Sequence, residues 1–201
     1  TQAEPRFGFA GLVLLAGFVW HEGRCPAPMI DIGLFRSRDF SAVNLATLLM
    51  WMGFQGVLFY LPMTLIAGWG QDALITSLTF APMALFIALL SPPMGRLADR
   101  IGPKPLIAAG ALVMASGFVA LSFGVSTGVF WLGILPSTSL IGLGLGLAVA
   151  PLTTAVVNSV PDESAGTASG VNNAAARVAG LMGVATLGLL AQAGYLAAGG
   201  Q

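Results

Sequence analysis

Apolar residues occur in six long runs along this chain, separated by short stretches rich in glycine, proline and charge. All but the first run reach the length of about 20 residues that an α-helix needs to cross a bilayer. Polar and apolar residues do not alternate within the runs, which excludes the strands of a membrane barrel. The pattern predicts an all-α integral membrane protein of six spanning helices, at residues 7–20, 40–63, 74–94, 105–124, 129–152 and 168–193.

Turn-forming residues lie between these runs. We expect connections at Gly68–Asp72, Gly102–Pro105, Gly124–Gly128 and Val160–Ser164, because proline and glycine there interrupt helical hydrogen bonding. The first run is shorter than the others and would have to extend back toward Glu4 to span the membrane.

Composition supports the membrane prediction. Hydrophobic residues make up 56% of the chain and charged residues 8%, whereas soluble domains carry about 25% charged residues. Membrane lipid must therefore surround most of the chain. The net charge is zero, so there is no basic patch for nucleic acid. The single cysteine, Cys25, excludes an internal disulfide.

The basic residues are distributed unevenly between the two sides. Short loops rich in Lys and Arg stay in the cytoplasm, and Arg6 alone lies on the opposite side. We therefore expect a multi-pass protein of the cell membrane with cytoplasmic loops at 21–39, 95–105 and 157–167. The basic residues of the cytoplasmic side are Arg24, Arg36, Arg38, Arg96, Arg100 and Lys104.

Residues 24–39 are too polar to span a membrane. Met29, Ile30 and Phe35 are interleaved with charged residues such as Asp31 and Arg36. The segment is either an amphipathic element on the cytoplasmic surface or an ordered loop, and the sequence leaves both open.

A charged turn is expected between the third and fourth runs. Gly95 would let backbones approach there, and Gly102 would permit a positive φ. The spacing resembles the signature G-x-x-x-D-(R/K)-x-G-x-(R/K) of the major facilitator superfamily, whereas an ordinary positive loop would not need it. In that family the loop helps control the conformational switch. The resemblance implies this role for Gly95, Arg96, Asp99, Arg100, Gly102 and Lys104.

Two further stretches are similar to fourteen-helix drug:proton antiporters of that superfamily. They are Leu34–Phe40 with the nearby Asn44, and Ala150–Thr154 followed by Gly166–Asn173. The resemblance implies most of a C-terminal transporter half. Residues 1–23 would form the second linker helix between the halves, 24–39 a cytoplasmic loop, and 40–201 five helices of the half, without its last helix.

The same resemblance implies multidrug efflux by proton-coupled antiport. The N-terminal half would be the partner, and the two halves would rock about a midplane cavity that takes a hydrophobic or cationic small molecule. The proton gradient would supply the energy, with no bound cofactor. The acidic residues fall at loops or helix ends, so the proton-carrying acid is expected in the other half. The alternatives are a facilitator of another small molecule and a six-helix scaffold.

Polar residues within the runs are the candidate substrate-pathway residues. Asn44, Trp51 and Gln55 are spaced i, i+7 and i+11, which places them within about 40° on a helix. Such a stripe either lines a pathway or bonds helices together. Asn173 and Arg177 are the candidates on the sixth run.

The sixth run carries Ser169, Asn173, Arg177 and Gly180 on one face. Arg177 either meets a carboxylate or responds to proton movement within the membrane, or its side chain extends to the cytoplasmic interface. Both interpretations remain open at this stage.

Small residues predict close helix packing. Gly142 and Gly146 form a G-x-x-x-G pair, and Gly180 and Gly183 leave a small face on the sixth run.

Catalytic and metal-binding chemistry is unsupported. His21 is the only histidine and lies beside Glu22, and no nucleophile or metalloprotease motif accompanies it. His21 and Cys25 are the only nitrogen or sulfur ligands of the usual kind. We therefore expect neither an enzyme nor a metal site.

Overall fold

A computed structural model describes residues 32–197 continuously. It also describes eight earlier positions: Gly11, Val13, Leu14, Ala16, Gly17, Trp20, His21 and Arg24. The described positions between Gly11 and His21 are helical. The other positions of the predicted helix over 1–23, and much of the predicted 24–39 loop, lie outside the described residues.

The continuous part of the structure is α-helical and contains no strand. Its α-helices are α1 (Arg38–Met63), α2 (Ala73–Leu78), α3 (Ala81–Ile101), α4 (Pro103–Thr127), α5 (Leu135–Asn158) and α6 (Ala165–Ala197). The predicted all-α fold is confirmed.

Five segments of the described chain are long and apolar enough to cross a membrane. They correspond to five of the six predicted runs, and the remaining run, over 7–20, falls mostly outside the described residues. The five segments are Arg38–Gly68, Ala73–Ile101, Pro103–Thr127, Phe130–Asn158 and Asp162–Gly194.

The first long helix begins inside the predicted cytoplasmic loop. A 3₁₀ turn over Ile32–Arg36 leads to Ser37, whose hydroxyl oxygen accepts a hydrogen bond from the Phe40 N–H at 3.3 Å. This cap satisfies one of the free donors at the start of α1. The helix therefore starts at Arg38, two residues before the predicted run.

The third run is divided into α2 and α3. A helix continuing across the division would need a hydrogen bond from residue 82 to the Leu78 carbonyl, and Pro82 has no N–H. Asp72 caps α2 by accepting from the Leu74 N–H at 2.6 Å. The long part of this span is therefore α3.

The predicted end of the fourth run at Gly124 is wrong. Helix α4 continues to Thr127 and ends at Gly128, which has the left-handed φ of 69° that glycine adopts without strain. Gly124 serves packing instead, because a Cβ there would lie 2.7 Å from the Gly133 carbonyl group.

Helix α5 forms the centre of the described bundle. It packs against α3 on one side and α4 on the other, and Ile141, Leu145 and Ala148 on it are almost fully buried. Helices α1 and α6 pack mainly against each other, and each also touches α5. The described helices thus form a pair and a triplet that meet at α5.

An ion pair joins the starts of α1 and α4. Lys104 Nζ lies 2.9 Å from Asp39 Oδ1, and both side chains are exposed. The contact places these helix starts at the same end of the bundle, as the alternating orientation of the spans requires. Arg96 and Arg100 lie near the end of α3, which adjoins the start of α4. The basic residues of the described spans therefore gather at this end, apart from Arg177.

We expect Lys104→Ala to lower the apparent melting temperature by no more than about 4 °C, because an exposed ion pair contributes only about 0–1 kcal/mol. The measurement is thermal unfolding of the detergent-solubilised protein, with Asp39→Ala and the double variant as controls. A much larger loss in both single variants, with no further loss in the double variant, would contradict this weak coupling.

Candidate functional site

A groove of about 540 Å³ lies between α1 and α6. Two predicted pathway residues of α1 face two of α6 across it, so periodicity on separate helices has identified both sides of one groove. Its lining residues are Trp51, Gln55, Asn173, Ala176, Arg177, Gly180, Leu181 and Val184.

Close packing fixes the register of the two helices. Gly180 lies beside Gln55, and a Cβ on Gly183 would overlap the Met52 carbonyl oxygen. Further along, the Tyr60 hydroxyl donates to the Val184 carbonyl at 2.9 Å. From Met52 beside Gly183 to Gly56 beside Leu187 and Tyr60 beside Gly188, the contacts advance in the same direction along both helices, so α1 and α6 run parallel.

This register gives the depth of Arg177. Gln55 lies seventeen positions beyond Arg38, or about 26 Å along α1, and Gly180 is beside it. Arg177 precedes Gly180 by three positions, or about 4.5 Å. This pair places its backbone about 21 Å from the basic end, and the Gly183–Met52 pair places it about 12 Å from that end. Of the two interpretations left open by the sequence, the place of Arg177 beside Gln55 in the groove favours a guanidinium within the membrane.

Arg177 has no acidic partner in the described part of the chain. The one salt bridge found there joins Lys104 and Asp39. The described carboxylates all belong to residues at helix ends or in turns, namely Asp39, Asp72, Asp99, Asp162 and Glu163. The groove thus carries one formal positive charge and no negative charge among its lining residues.

A smaller pocket of about 170 Å³ adjoins the groove where α1 and α6 meet α5. The two cavities share Trp51, Asn173 and Ala176. Polar residues from all three helices line it. They are Thr47 on α1, Thr153 on α5, and Ser169, Asn172 and Asn173 on α6.

The hydroxyl groups of this pocket can accept hydrogen bonds from a ligand. Thr47, Thr153 and Ser169 each donate their proton to a backbone carbonyl four residues earlier, at 3.0, 3.2 and 2.9 Å. Their lone pairs stay available, because a hydroxyl has one donor and two acceptor sites. The Asn172 Oδ1 is buried and receives no hydrogen bond. The pocket therefore suits a ligand group that donates hydrogen bonds.

Asn44 is separated from the other predicted pathway residues. Its side chain is 6% exposed, and Nδ2 donates to the Phe40 carbonyl at 2.9 Å. It lines neither the groove nor the adjoining pocket. Thr47 and Asn172, which sequence reasoning passed over, do line the pocket. Their positions gave a signal, since Thr47 is one turn before Trp51 and Asn172 is next to Asn173.

The residues of the predicted switch loop are mostly helical. Gly95, Arg96, Asp99 and Arg100 belong to the last turns of α3, and Lys104 belongs to the first turn of α4. Only Gly102 separates the helices, with a φ of 85° that glycine tolerates. Pro103 can start α4 directly because its missing N–H would have no helical partner there. The expected loop is thus a one-residue turn.

Gly95 is not required for a close backbone approach among the described helices. A Cβ there would lie 3.4 Å from the Ala150 Cβ, which is near ordinary contact. Arg96 and Arg100 line an open groove of about 360 Å³ with Pro93, Met94 and Leu97.

The glycines predicted to pack helices lie at two interfaces. A Cβ on Gly142 would meet the Met83 Cα, and one on Gly146 would lie 2.7 Å from the Phe86 carbonyl oxygen, so both lie against α3. Gly180 and Gly183 lie against α1. A third small-residue contact, between Gly110 of α4 and Gly144 of α5, was not predicted.

The membrane-spanning helices and the groove agree with the protein family whose sequence model matches this chain. The sequence model of the Major Facilitator Superfamily matches residues 7–184. The chain belongs to this superfamily. Members of this superfamily are multi-pass membrane proteins, and they are transporters rather than enzymes. The α1–α6 groove lies within the part of the chain that the family model matches.

Similar proteins in the superfamily include multidrug resistance and efflux proteins. The chain is 31% identical to the Multidrug resistance protein Stp of Mycobacterium tuberculosis, over 85% of this chain and 32% of that protein. It is 31% identical to the Multidrug efflux pump LfrA of Mycolicibacterium smegmatis, over 92% of this chain and 36% of that protein. It is 33% identical to the Uncharacterized MFS-type transporter YwoD of Bacillus subtilis, over 94% of this chain and 42% of that protein. The chain spans about a third to two fifths of the length of these relatives.

Proposed function

We propose that this chain forms most of the C-terminal half of a fourteen-helix transporter that exports drugs in exchange for protons. The observation that carries the proposal is the α1–α6 groove. It holds Arg177, Gln55 and Asn173 within the spans, where polar side chains are costly unless they face a bundle interior or a cavity. The likeness to multidrug efflux proteins supports a drug as the transported compound.

The N-terminal half would complete the groove into a cavity. Alternating access would then expose the cavity to each side of the membrane in turn. We place the protein in the cell membrane, with the end that carries the Lys104–Asp39 pair in the cytoplasm, because basic residues gather there. The residues Gly95–Lys104 would control the switch through their position at the α3–α4 turn.

The groove suits apolar, aromatic substrates. Leu181 and Val184 supply apolar walls, and the Trp51 indole offers a face for stacking or for a cation. None of the groove residues is acidic. The proton-carrying carboxylate would therefore belong to the other half, and the proton gradient would be the energy source without any bound cofactor.

Efflux of a fluorescent cationic dye tests the proposal. The complete gene product, produced in a bacterium that lacks its own pumps, should export the dye, and a protonophore should abolish the export. An empty vector is the control, and membrane insertion is checked by immunoblot. Absence of export across a broad panel of dyes and drugs by a well-inserted protein would refute drug efflux. Export that survives the protonophore would refute proton coupling.

Gly180→Ala should lower export of bulky compounds by about tenfold relative to small ones. A Cβ at this position would lie 2.9 Å from the Gln55 Cγ, so the Gln55 side chain would have to move into the groove. Leu189→Ala on the same helix is the matched control, because the Leu189 side chain is exposed and lies on the face of α6 opposite Gly180. Minimum inhibitory concentrations for a size series of substrates provide the measurement. An equal effect on small and bulky compounds would contradict this role of Gly180.

A further inference from the structure

Arg177 places a positive charge in the groove, about 12–21 Å from the basic end of α1, with no acidic partner among the described residues. None of the eight groove residues is acidic, and the described carboxylates lie at helix ends or in turns. An ionised side chain at this depth is costly without a partner. The groove around Arg177 therefore calls for an anionic ligand group.

The neighbours of Arg177 suit a planar carboxylate. A guanidinium binds a carboxylate through two parallel N–H···O bonds, and the amide groups of Gln55 and Asn173 can donate to its remaining lone pairs. Trp51 supplies an aromatic wall for a ring attached to the carboxylate. The volume of about 540 Å³ is in the range of small-molecule pockets.

The adjoining pocket suits the opposite end of such a compound. Its hydroxyl oxygens and the unpartnered Asn172 Oδ1 accept hydrogen bonds, as an ammonium or amine group requires. Ser169 in this pocket precedes Arg177 by eight positions on α6, or about 12 Å. Asn172 precedes Arg177 by five positions, so the acceptors lie about 7–12 Å from Arg177 along α6, within the length of a drug-sized molecule.

We infer that Arg177 binds a carboxylate of the transported compound, so that the substrates include aromatic acids and aromatic zwitterions. The inference rests on the proposed export function and specifies its substrate class. It assigns the carboxylate to the substrate because the aromatic wall and the acceptor-lined pocket lie beside the guanidinium.

Export of an aromatic amino acid-type drug and of its ethyl ester tests the inference. The two compounds differ in the carboxylate charge and share the ring system. In the complete gene product, Arg177→Gln should lower export of the acid about tenfold more than export of the ester, the size expected for a charge-assisted hydrogen-bonded pair. Arg177→Lys, which keeps the charge without the paired geometry, should give a smaller difference. Leu189→Ala, on the exposed face of α6 opposite Gly180, should leave export of both compounds unchanged.

The outcomes separate this inference from the proposed function. An equal fall in export of acid and ester would overturn the inference, because Arg177 would then serve the transport cycle or pair with an acid of the protein. Equal export by wild type and Arg177→Gln would also overturn it. Export of the cationic dye without export of the acid by wild type would overturn the inference and leave drug efflux standing. Export of none of the three compounds would refute drug efflux itself.

Direct binding provides a second readout that does not require a working transport cycle. The purified full-length protein in detergent should bind the acid more tightly than the ester, and Arg177→Gln should remove this preference. Size-exclusion chromatography and retained binding of the ester establish that the variant is folded. A preference for the acid that survives in Arg177→Gln would overturn the inference.

Discussion

Gly144→Ala is expected to lower the apparent melting temperature of the detergent-solubilised protein by about 4–10 °C. A Cβ at this position would lie 2.6 Å from both the Gly110 carbonyl oxygen and the Met114 nitrogen. These are backbone atoms of α4, so no side chain can rotate to make room and the helices must separate. Overpacking of this kind costs about 1–3 kcal/mol.

The control for this substitution is not expected to lower the melting temperature. Gly170→Ala replaces a helical glycine with open space around it, so the lower backbone entropy of alanine should leave the protein as stable or slightly more stable. Thermal unfolding followed by fluorescence-detected size-exclusion chromatography measures both variants. If Gly144→Ala melted at or above the wild-type temperature, the close α4–α5 packing described above would be incorrect.

Gly183→Ala is expected to lower export of every substrate by at least about tenfold. A Cβ there would overlap the Met52 carbonyl oxygen, and the Met52 carbonyl carbon would lie 2.9 Å away. Helices α1 and α6 would have to move apart at the interface between them, beside the groove. The displacement would move Gln55 and Arg177 together, so acids, esters and cations should all be affected, unlike the selective effect expected at Arg177.

Gly188→Ala offers a graded comparison on the same helix. Its Cβ would meet the Tyr60 hydroxyl, which is the end of a side chain and can swing away. We expect a smaller loss of export than for Gly183→Ala, measured by dye efflux at matched membrane expression. Wild-type export by Gly183→Ala, with an unchanged melting temperature, would show that the α1–α6 interface does not shape the transport site.

The spans could be predicted because length and hydropathy are properties of the chain itself. A run of apolar residues that is long enough must cross the bilayer whatever its neighbours are. The exact helix ends depend on partners elsewhere in the chain. Gly124 looks like a helix terminator in sequence, yet it lies within α4 because Gly133 packs against it. Glycine can end a helix or allow close helix packing, and only the contacts in the folded protein show which role it has.

The candidate site was predictable in part for a similar reason. Helical periodicity places Trp51 with Gln55 and Asn173 with Arg177, each pair on one face of its own helix. That the two faces meet depends on the parallel packing of α1 and α6, which periodicity does not contain. Asn44 shares the angular position of Trp51 but lies about 10 Å away along α1, where its side chain is buried. The roles of the predicted pathway residues in transport remain predictions, and the Arg177 variants test one of them.

The meeting of the helix pair and the helix triplet at α5 has a mechanical consequence. Because α1 and α6 touch mainly each other and α5, a push that narrows the groove reaches α3 and α4 chiefly through α5. Helix α5 therefore connects the walls of the groove mechanically to the charged α3–α4 turn. Pro151 within α5 removes one backbone hydrogen bond from this helix, which allows the helix to bend beside the acceptor-lined pocket.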